Sequence, residues 1–405
     1  MIERFVLFPR LTIEPSDSGS TVVNSVVGTR MRATPEALAR LERVRKGLDR
    51  DEIEQLFNAR ELRDLRDAFI VVAEPELELV SEGLLEPVLP AIGAAASLSE
   101  LTNRLVNQWI VLGAPIDMAA PNSEGARHGP AEIRGACALI RVDPQNDAED
   151  RMLYEFERRR SYRVRDLPVR DVGDVHLVDG EAMDTFGRRL SRLVELIRSR
   201  RCAPLVLGGD QSVSWFTVEP LLRSERIGIL HFDAHHDLYA EHARLHHGNP
   251  FRFALRSSNL IRLHQIGLRT LEPIVSSALV ADERVDFVSA EEAASRPIAD
   301  VFAGLPRDIP YYLSFDIDCL APSVTPETGT PEVGGLSYYR CMELLDYACR
   351  ELQLVGMDVV EVQRRGHRSN MAARVAGAVI SRVLLNHTPH QTMGSYVVAE
   401  ASAVD

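Results

Sequence analysis

The chain has 405 residues, of which 45% are hydrophobic and 26% charged, the balance of a folded globular protein and not of a disordered or fibrous one. Its 46 Lys plus Arg against 59 Asp plus Glu give a net charge of −13, which argues against a nucleic-acid partner and leaves a cationic substrate open. No apolar run approaches about 18 residues, the N-terminus has no secretory apolar segment, and the five cysteines form no CxxC pair, so a reduced, cytoplasmic protein that does not contact membranes is expected.

Taken in chain order, short apolar runs at Phe5–Phe8 and Val22–Val27 predict a small β-ribbon. Thr34-Pro35-Glu36 then reads as an N-cap with proline at the first helical position, and Leu38, Leu41 and Val44 continue at helical spacing. Asp51–Phe57 and Glu61–Phe69 predict two further short helices, and Ile70–Val72 a returning strand. Together these suggest a small α+β winged-helix-like domain over residues 1–80, followed by a linker with some helix over 81–105. From about residue 106 to 395 strands alternate with amphipathic helices, and 396–405 read as a tail. Trp109–Gly113 is a strand, and residues 181–200 form a helix with Met183, Phe186, Leu190, Leu193 and Ile197 on one face. Leu205–Leu207, Ile227–Phe232, Tyr311–Phe315 and Leu354–Val360 are too short for helices and read as buried parallel strands, so the expected architecture is a three-layer αβα domain with a mostly parallel sheet.

Chemistry-bearing residues follow those strands. Asp210 and Gln211 come after the first run, Asp233, His235, His236 and Asp237 after the second, and Asp316 and Asp318 after the third. Sites in open α/β sheets lie at the carboxyl ends of strands, so these residues should converge on one crevice. In an extended segment residues i, i+2 and i+4 share a face, which groups Asp233, His235 and Asp237, and separately Asp316 and Asp318, and turns His236 away. A lone DxD at a strand end is more often a turn or a cap. Two such segments, one of them with two histidines, place several carboxylates together, and divalent cations relieve the repulsion and burial cost. Mixed carboxylate and imidazole donors suit Mn²⁺ or a similar first-row ion, and two such ions about 3.5–4 Å apart can activate a shared water.

With these motifs on view, the stretch from about 109 to 390 resembles the ureohydrolase family, which includes arginase and agmatinase. The resemblance is carried by Gly113-Ala-Pro-Ile-Asp117, Gly125 to Pro130, Asp171 to Asp174, Gly208-Gly-Asp210, Asp233 to Asp237, His247 to Pro250, Ser314 to Asp318, Pro322 to Gly335 and Asp358 to Glu361, in that order. It implies an arginase-like fold, commonly assembled as a homo-oligomer. It also implies a binuclear Mn²⁺ site at which a metal-activated hydroxide splits a guanidino group into an amine and urea. By motif position Asp233 and Asp316 would bridge both ions, Asp237 would complete one ion's shell, and His235 and Asp318 the other's. Glu361 falls where the family pairs a carboxylate with the guanidinium, and His247 where it places a proton shuttle.

One position departs from the family pattern: Gln211 stands where a metal-binding histidine is expected. A glutamine carbonyl is a neutral, weaker donor toward a transition metal, so one of the two ions is expected to be weakly held or absent. The alternative that follows is a non-catalytic binding protein. The N-terminal region is similar in pattern to small winged-helix domains that hold precursor peptides for modification, which implies a substrate arginine within a peptide, converted to ornithine; the competing reading of this region is an oligomerisation or lid domain, ahead of a winged helix for DNA. The competing substrates are small free guanidino, N-hydroxyguanidino or formimino compounds.

Overall fold

The computed structural model describes residues 4–392 except 17–18, 28, 75–76, 78–79, 81–82, 87, 89–91, 121–123, 138–150, 240–243, 272–281, 365–368 and 389–390. The expected tail at 396–405 lies outside the described residues.

The N-terminal region builds two small sheets. Strand β1 (Arg4–Leu7) pairs antiparallel with β5 (Leu48–Asp49) and β6 (Val71–Ala73), while β2 (Leu11–Ser16), β3 (Gly19–Asn24) and β4 (Thr29–Ala33) form an antiparallel meander. The two apolar runs expected to pair as a ribbon therefore sit in different sheets. Phe5 faces Leu48 and Ala73 across its sheet, and Val22 faces Ile13 and Met31 across the other. The partner strand Leu11–Ser16 gave no apolar run to reveal it.

Helix α1 (Pro35–Val44) starts where the Thr34 cap predicts, while α2 (Arg50–Leu56) and α3 (Ala59–Asp67) begin one and two residues before the expected Asp51 and Glu61. Thr34 accepts the Ala37 N–H, and Asp49 and Asn58 each form a reciprocal capping box with the glutamate three residues on, Glu52 and Glu61. Phe5, Leu41, Val44, Ile53, Phe57 and Leu65 close a core of their own. Phe69 and Val72 pack instead with the main domain, where the Arg192 guanidinium lies 5.0 Å from the Phe69 ring centroid.

Between the two regions, β7 (Leu85–Glu86), β8 (Ala94–Ala95) and α4 (Leu98–Asn103) fall in the stretch expected to be a linker. Two-residue strands carry no readable pattern, yet both pair with β12 (Val169–Val175) and so extend the main sheet. That sheet runs β16 (Val285–Ser289), β15 (Leu260–Leu268), β14 (Ile227–Phe232), β17 (Pro310–Asp316), β18 (Gln353–Val360), β13 (Ala203–Leu207), β9 (Trp109–Gly113), β12, β7. All but the β12–β7 pairing are parallel.

Every residue of β9, β14 and β18 past its first residue is buried, because helices cover both faces. The covering helices include α5 (Gly129–Ala136), α6 (Met183–Ser199), α7 (Val213–Ser224), α8 (Pro250–Ala254), α9 (Ala290–Ser295), α10 (Ile298–Val301), α11 (Tyr338–Glu351) and α12 (Met371–Asn386). The result is an arginase-like three-layer αβα fold, with one hydrophobic cluster on each side of the sheet. Among the described residues no helix is long and apolar enough to cross a membrane.

One buried ion-pair cluster ties the start of the domain to the sheet. Arg134 on α5 donates from Nε and Nη2 to the two Asp171 oxygens at 2.9 and 3.0 Å, from Nη2 to the Gly173 carbonyl at 3.1 Å, and from Nη1 to Asp174. Gly113 on the neighbouring strand must lack a side chain, since a Cβ there would lie 1.8 Å from Asp174 Oδ1. Removing the guanidinium leaves the buried Asp171 carboxylate uncompensated, so Arg134→Met is expected to cost about 3–5 kcal/mol of stability, readable as a lowered midpoint in a urea melt.

Candidate metal centre and active site

Strands β14, β17, β18 and β13 are neighbours in the sheet and all parallel, so their carboxyl ends lie side by side. Asp233 follows β14, Asp316 ends β17, Glu361 follows β18, and Gln211 follows the Gly208-Gly209-Asp210 turn after β13. That turn is held against the preceding loop: Asp210 N–H donates to the Ile116 carbonyl at 2.9 Å, and a Cβ on Gly209 would lie 1.6 Å from that carbonyl oxygen. Asp210 Oδ2 accepts the Ala119 N–H at 2.9 Å; burial and the nearby Glu361 push its carboxyl up to about 6.

A cavity of about 600 Å³ opens over these strand ends. Its lining includes Gln211, Asp233, His235, Asp237, His247, Asp316 and Glu361, and Asp318 sits behind His235. The structure thus brings all eight expected site residues together. Two triads have ligand atoms within 4.8 Å of one another: Asp233 with His235 and Asp318, and His231 with Asp233 and Asp237.

The grouping of Asp233 with His235 and of Asp316 with Asp318 does not come from strand alternation. The strands have ended, and each first aspartate accepts the backbone N–H two residues on, Asp233 from His235 at 2.7 Å and Asp316 from Asp318 at 2.8 Å. These are side-chain-closed turns, which aspartate forms readily. Asp237 and Glu361 stand in the left-handed region at φ of 52° and 61°, a strain that non-glycine residues adopt where the surroundings impose it. Glu361 Oε1 accepts the Gln211 N–H at 2.9 Å and lies 3.7 Å from His247 Nδ1.

His231 was not foreseen, although it lies two residues before Asp233 on the same alternation. Its Nδ1 meets Gln265 Nε2 at 2.9 Å, and that same amide nitrogen donates to the His236 carbonyl at 2.7 Å. A carbonyl only accepts, so the Gln265 amide is fixed and His231 Nδ1 accepts, which leaves the ring proton on Nε2; that atom lies 2.8 Å from Asp233 Oδ2 without the alignment of a hydrogen bond. With its Nε2 protonated, His231 is a charge partner of Asp233 rather than a metal donor. His236 turns aside as expected, its Nδ1 accepting the Leu238 N–H at 2.9 Å and its ring against Tyr239. Glu332 was also missed within the Pro322–Gly335 segment; it stands at the cavity mouth, 3.9 Å from His235 Nε2.

The electrostatics fit divalent cations. Burial, then the charges of Asp233 and its neighbours, push the Asp237 carboxyl well above the usual range, and burial with Asp318 and Asp233 does the same to Asp316. Burial and Asp233 raise Asp318 to about 6. Burial opposes charge on Asp233 and on His235, but contact with His231 and His235 holds Asp233 low, and the two aspartates raise His235 to about 12. Asp237 Oδ2 and Gln211 Oε1 are buried without a hydrogen-bond partner. Oxygen donors with one imidazole, two of the oxygens unpartnered, are what Mn²⁺ or a similar ion would take.

The profile of the arginase family matches residues 107–386. The agmatinase of Edwardsiella ictaluri is 34% identical over 287 residues, covering 68% of this chain and 86% of that protein. A crystal structure of a hypothetical agmatinase from Burkholderia thailandensis shares 26% identity at a TM-score of 0.57, over 69% of this chain and 85% of that one. The proclavaminate amidino hydrolase of Streptomyces clavuligerus has the same fold, with a TM-score of 0.61 at 24% identity over 74% of this chain and 97% of that one. Fold and cavity define a hydrolase with an arginase-like αβα fold, whose clustered aspartates and histidine could hold metal ions. The chain belongs to the arginase family, hydrolases of linear amidine C–N bonds. The N-terminal hundred residues lie outside that match.

Without metal, Asp210 and Asp318 with carboxyls near 6, and the more strongly raised Asp237 and Asp316, bind protons more tightly folded than unfolded. Their stabilising contribution is complete below about pH 4 and is lost as pH rises through 6 and beyond. Chelator-stripped protein is therefore expected to melt at lower temperature at pH 8 than at pH 5, and added Mn²⁺ to raise the melting temperature more at pH 8. Equal melting at both pH values would show that the carboxylates are not under this strain.

Proposed function

We propose that the protein hydrolyses a guanidino group to an amine and urea. The observation that carries this is the set of four aspartates and His235 gathered with Glu361 and His247 around one cavity over the ends of adjacent parallel strands. Asp233, His235, Asp237, Asp316, Asp318 and Gln211 would hold two divalent ions, Mn²⁺ by family preference, with Asp233 and Asp316 shared between them. Bound there, such ions lower the pKa of a water toward neutrality and so supply the nucleophile.

The protein's own groups do the rest. Glu361 presents a carboxylate to the planar guanidinium, a pairing that suits two parallel N–H···O bonds. Burial opposes charge on His247, but Glu361 beside it raises its pKa, which favours an imidazole that carries a proton for the departing amine. Asp233→Ala should abolish both metal binding and urea release, while His247→Ala should slow turnover by about 10²-fold and leave metal content unchanged. Full urea release by Mn²⁺-loaded Asp233→Ala would overturn the assignment.

Two observations favour a guanidino substrate without a carboxylate of its own close by, either an amine or an arginine within a peptide. Among the described residues no lysine or arginine lines the cavity, so the carboxylate of a free amino acid would find no guanidinium or ammonium partner there. The N-terminal region holds a second cavity of about 430 Å³ beside the outer strand β4, floored by Met31, Ala33, Leu41 and Phe57 and rimmed by Arg32, Arg40, Glu61 and Asp64. An extended peptide could lie along such a strand edge, its arginine passing to the metal cavity and leaving as ornithine. Urea from Mn²⁺-loaded protein should then appear with an arginine-containing peptide and not with free arginine, and Arg32→Glu should raise KM for the peptide while leaving kcat unchanged. Urea from small guanidines alone would make the N-terminal region structural.

A further inference from the structure

Gln211 departs from the family pattern at the centre of the site, and the surrounding network states which end of its amide faces the cavity. Asp358, at the cavity-distal side of Gln211 and fully buried, receives the Ser314 hydroxyl on Oδ1 at 2.8 Å and the Tyr312 hydroxyl on Oδ2 at 3.0 Å. Ser314 Oγ also lies 3.2 Å from Ser214 Oγ, but the contact to Asp358 is shorter and an ionised carboxylate only accepts, so the single Ser314 proton is assigned to Asp358 and Ser214 donates to Ser314. Ser314 Oγ can then only accept from Gln211, and it does so from Nε2 at 3.1 Å; Ser214 Oγ takes the second amide proton at 3.0 Å. Both N–H bonds of the amide are thereby turned into the protein. The amide atom left for the cavity that Gln211 lines is Oε1, which is buried and without a hydrogen-bond partner, while the residue as a whole is 2% exposed. An unpaired buried carbonyl costs about 1–3 kcal/mol unless something else satisfies it.

We propose that Gln211 Oε1 is a ligand of the metal ion held with Asp233, Asp237 and Asp316, and that the Asp358–Ser314 pair is the positioning device that makes the amide present oxygen rather than nitrogen. This rests on the metal-dependent reading above. A histidine needs no such device, since its ring nitrogens can take either role by tautomer. A glutamine reversed about its amide would aim two N–H donors at a cation, and the ion would be lost. The polarity set by Asp358 is thus what allows a neutral amide to stand at this position.

The test is Mn²⁺ binding to chelator-stripped protein by titration calorimetry, with bound metal counted by elemental analysis and the spin coupling of an ion pair read by electron paramagnetic resonance. Gln211→Ala and Ser314→Ala should each weaken one binding step about 10–100-fold, the range for loss of a ligand-orienting partner, and leave the other step unchanged. Asp358→Asn, which offers N–H where the serine proton should go, should do the same. Because Ser314 acts through Gln211, Ser314→Ala should change the affinity no further in the Gln211→Ala background. Gln211→His should tighten the weak step, and would report on the site even where Asp358→Asn does not fold. Two unchanged binding steps in Gln211→Ala, with binding abolished in Asp233→Ala, would overturn the ligand assignment and leave the metal site standing. Failure of the wild-type protein to bind any divalent ion would overturn both.

Discussion

The structure turns on the burial of four aspartates and a glutamate over the ends of adjacent strands. Asp233, Asp237, Asp316, Asp318 and Glu361 are each no more than 5% exposed. Carboxylates so placed repel one another in surroundings too dry to screen them, and burial with that repulsion pushes Asp237, Asp316 and Asp318 toward the protonated form. Within the protein the compensation is partial: His231 and His235 serve Asp233, and His235 also serves Asp318. Among the described residues no ion pair to a cationic side chain is made by Asp237 or Asp316, and burial with the neighbouring carboxylates raises both. Bound cations would relieve this strain, coupling metal binding to the stability of the fold.

The sheet order is what makes the crowding possible. Strands β17 and β18 come late in the chain but are inserted between β14 and β13, so residues more than a hundred positions apart finish side by side. The site is then braced from beneath. Tyr312 and Ser314 on β17 and Asp358 on β18 form one buried polar layer, and Gln265 on β15 fixes His231 on β14. Each orienting side chain is carried by a strand whose packing leaves it little freedom, and the two strained positions, Asp237 and Glu361, sit directly above.

Much of this was legible in the sequence because the strands that build the site are the most hydrophobic. Ile227–Phe232 was bounded correctly, and the runs at 205–207, 311–315 and 354–360 were short of the strands by one or two residues. The convergence of Asp233, His235, Asp237, Asp316 and Asp318 followed from strand ends and spacing, although the local cause is a closed turn and not the pleat. His231 escaped because a histidine inside an apolar run reads as core, even though it shares the alternation of Asp233. The edge strands β7 and β8 and the pairing of Leu11–Ser16 with Val22 depend on tertiary contacts that leave no local pattern. Gln211 was seen as a departure, but its orientation is written in Ser314 and Asp358, over a hundred residues away.

The cavity by itself asks little of a substrate. It offers acids and histidines to a guanidinium and, among its described lining residues, no lysine or arginine to the remainder of the molecule. Discrimination between guanidino compounds must then come from shape at the mouth or from contacts elsewhere. The N-terminal region is fastened where it could serve the second. Arg192 on α6 donates to the Arg66 carbonyl at 2.8 Å and covers Phe69, and Ser199 on the same helix donates to Asp67 at 2.8 Å. The groove beside β4 reaches across this junction, since Arg200, just past α6, and Thr102 and Asn103 on α4 share its lining with α1 and α3. A peptide held there would engage both regions at once. The guanidinium end would need only the acidic cavity, and the choice of substrate would lie mostly with residues outside the arginase family match, Arg200 being within it.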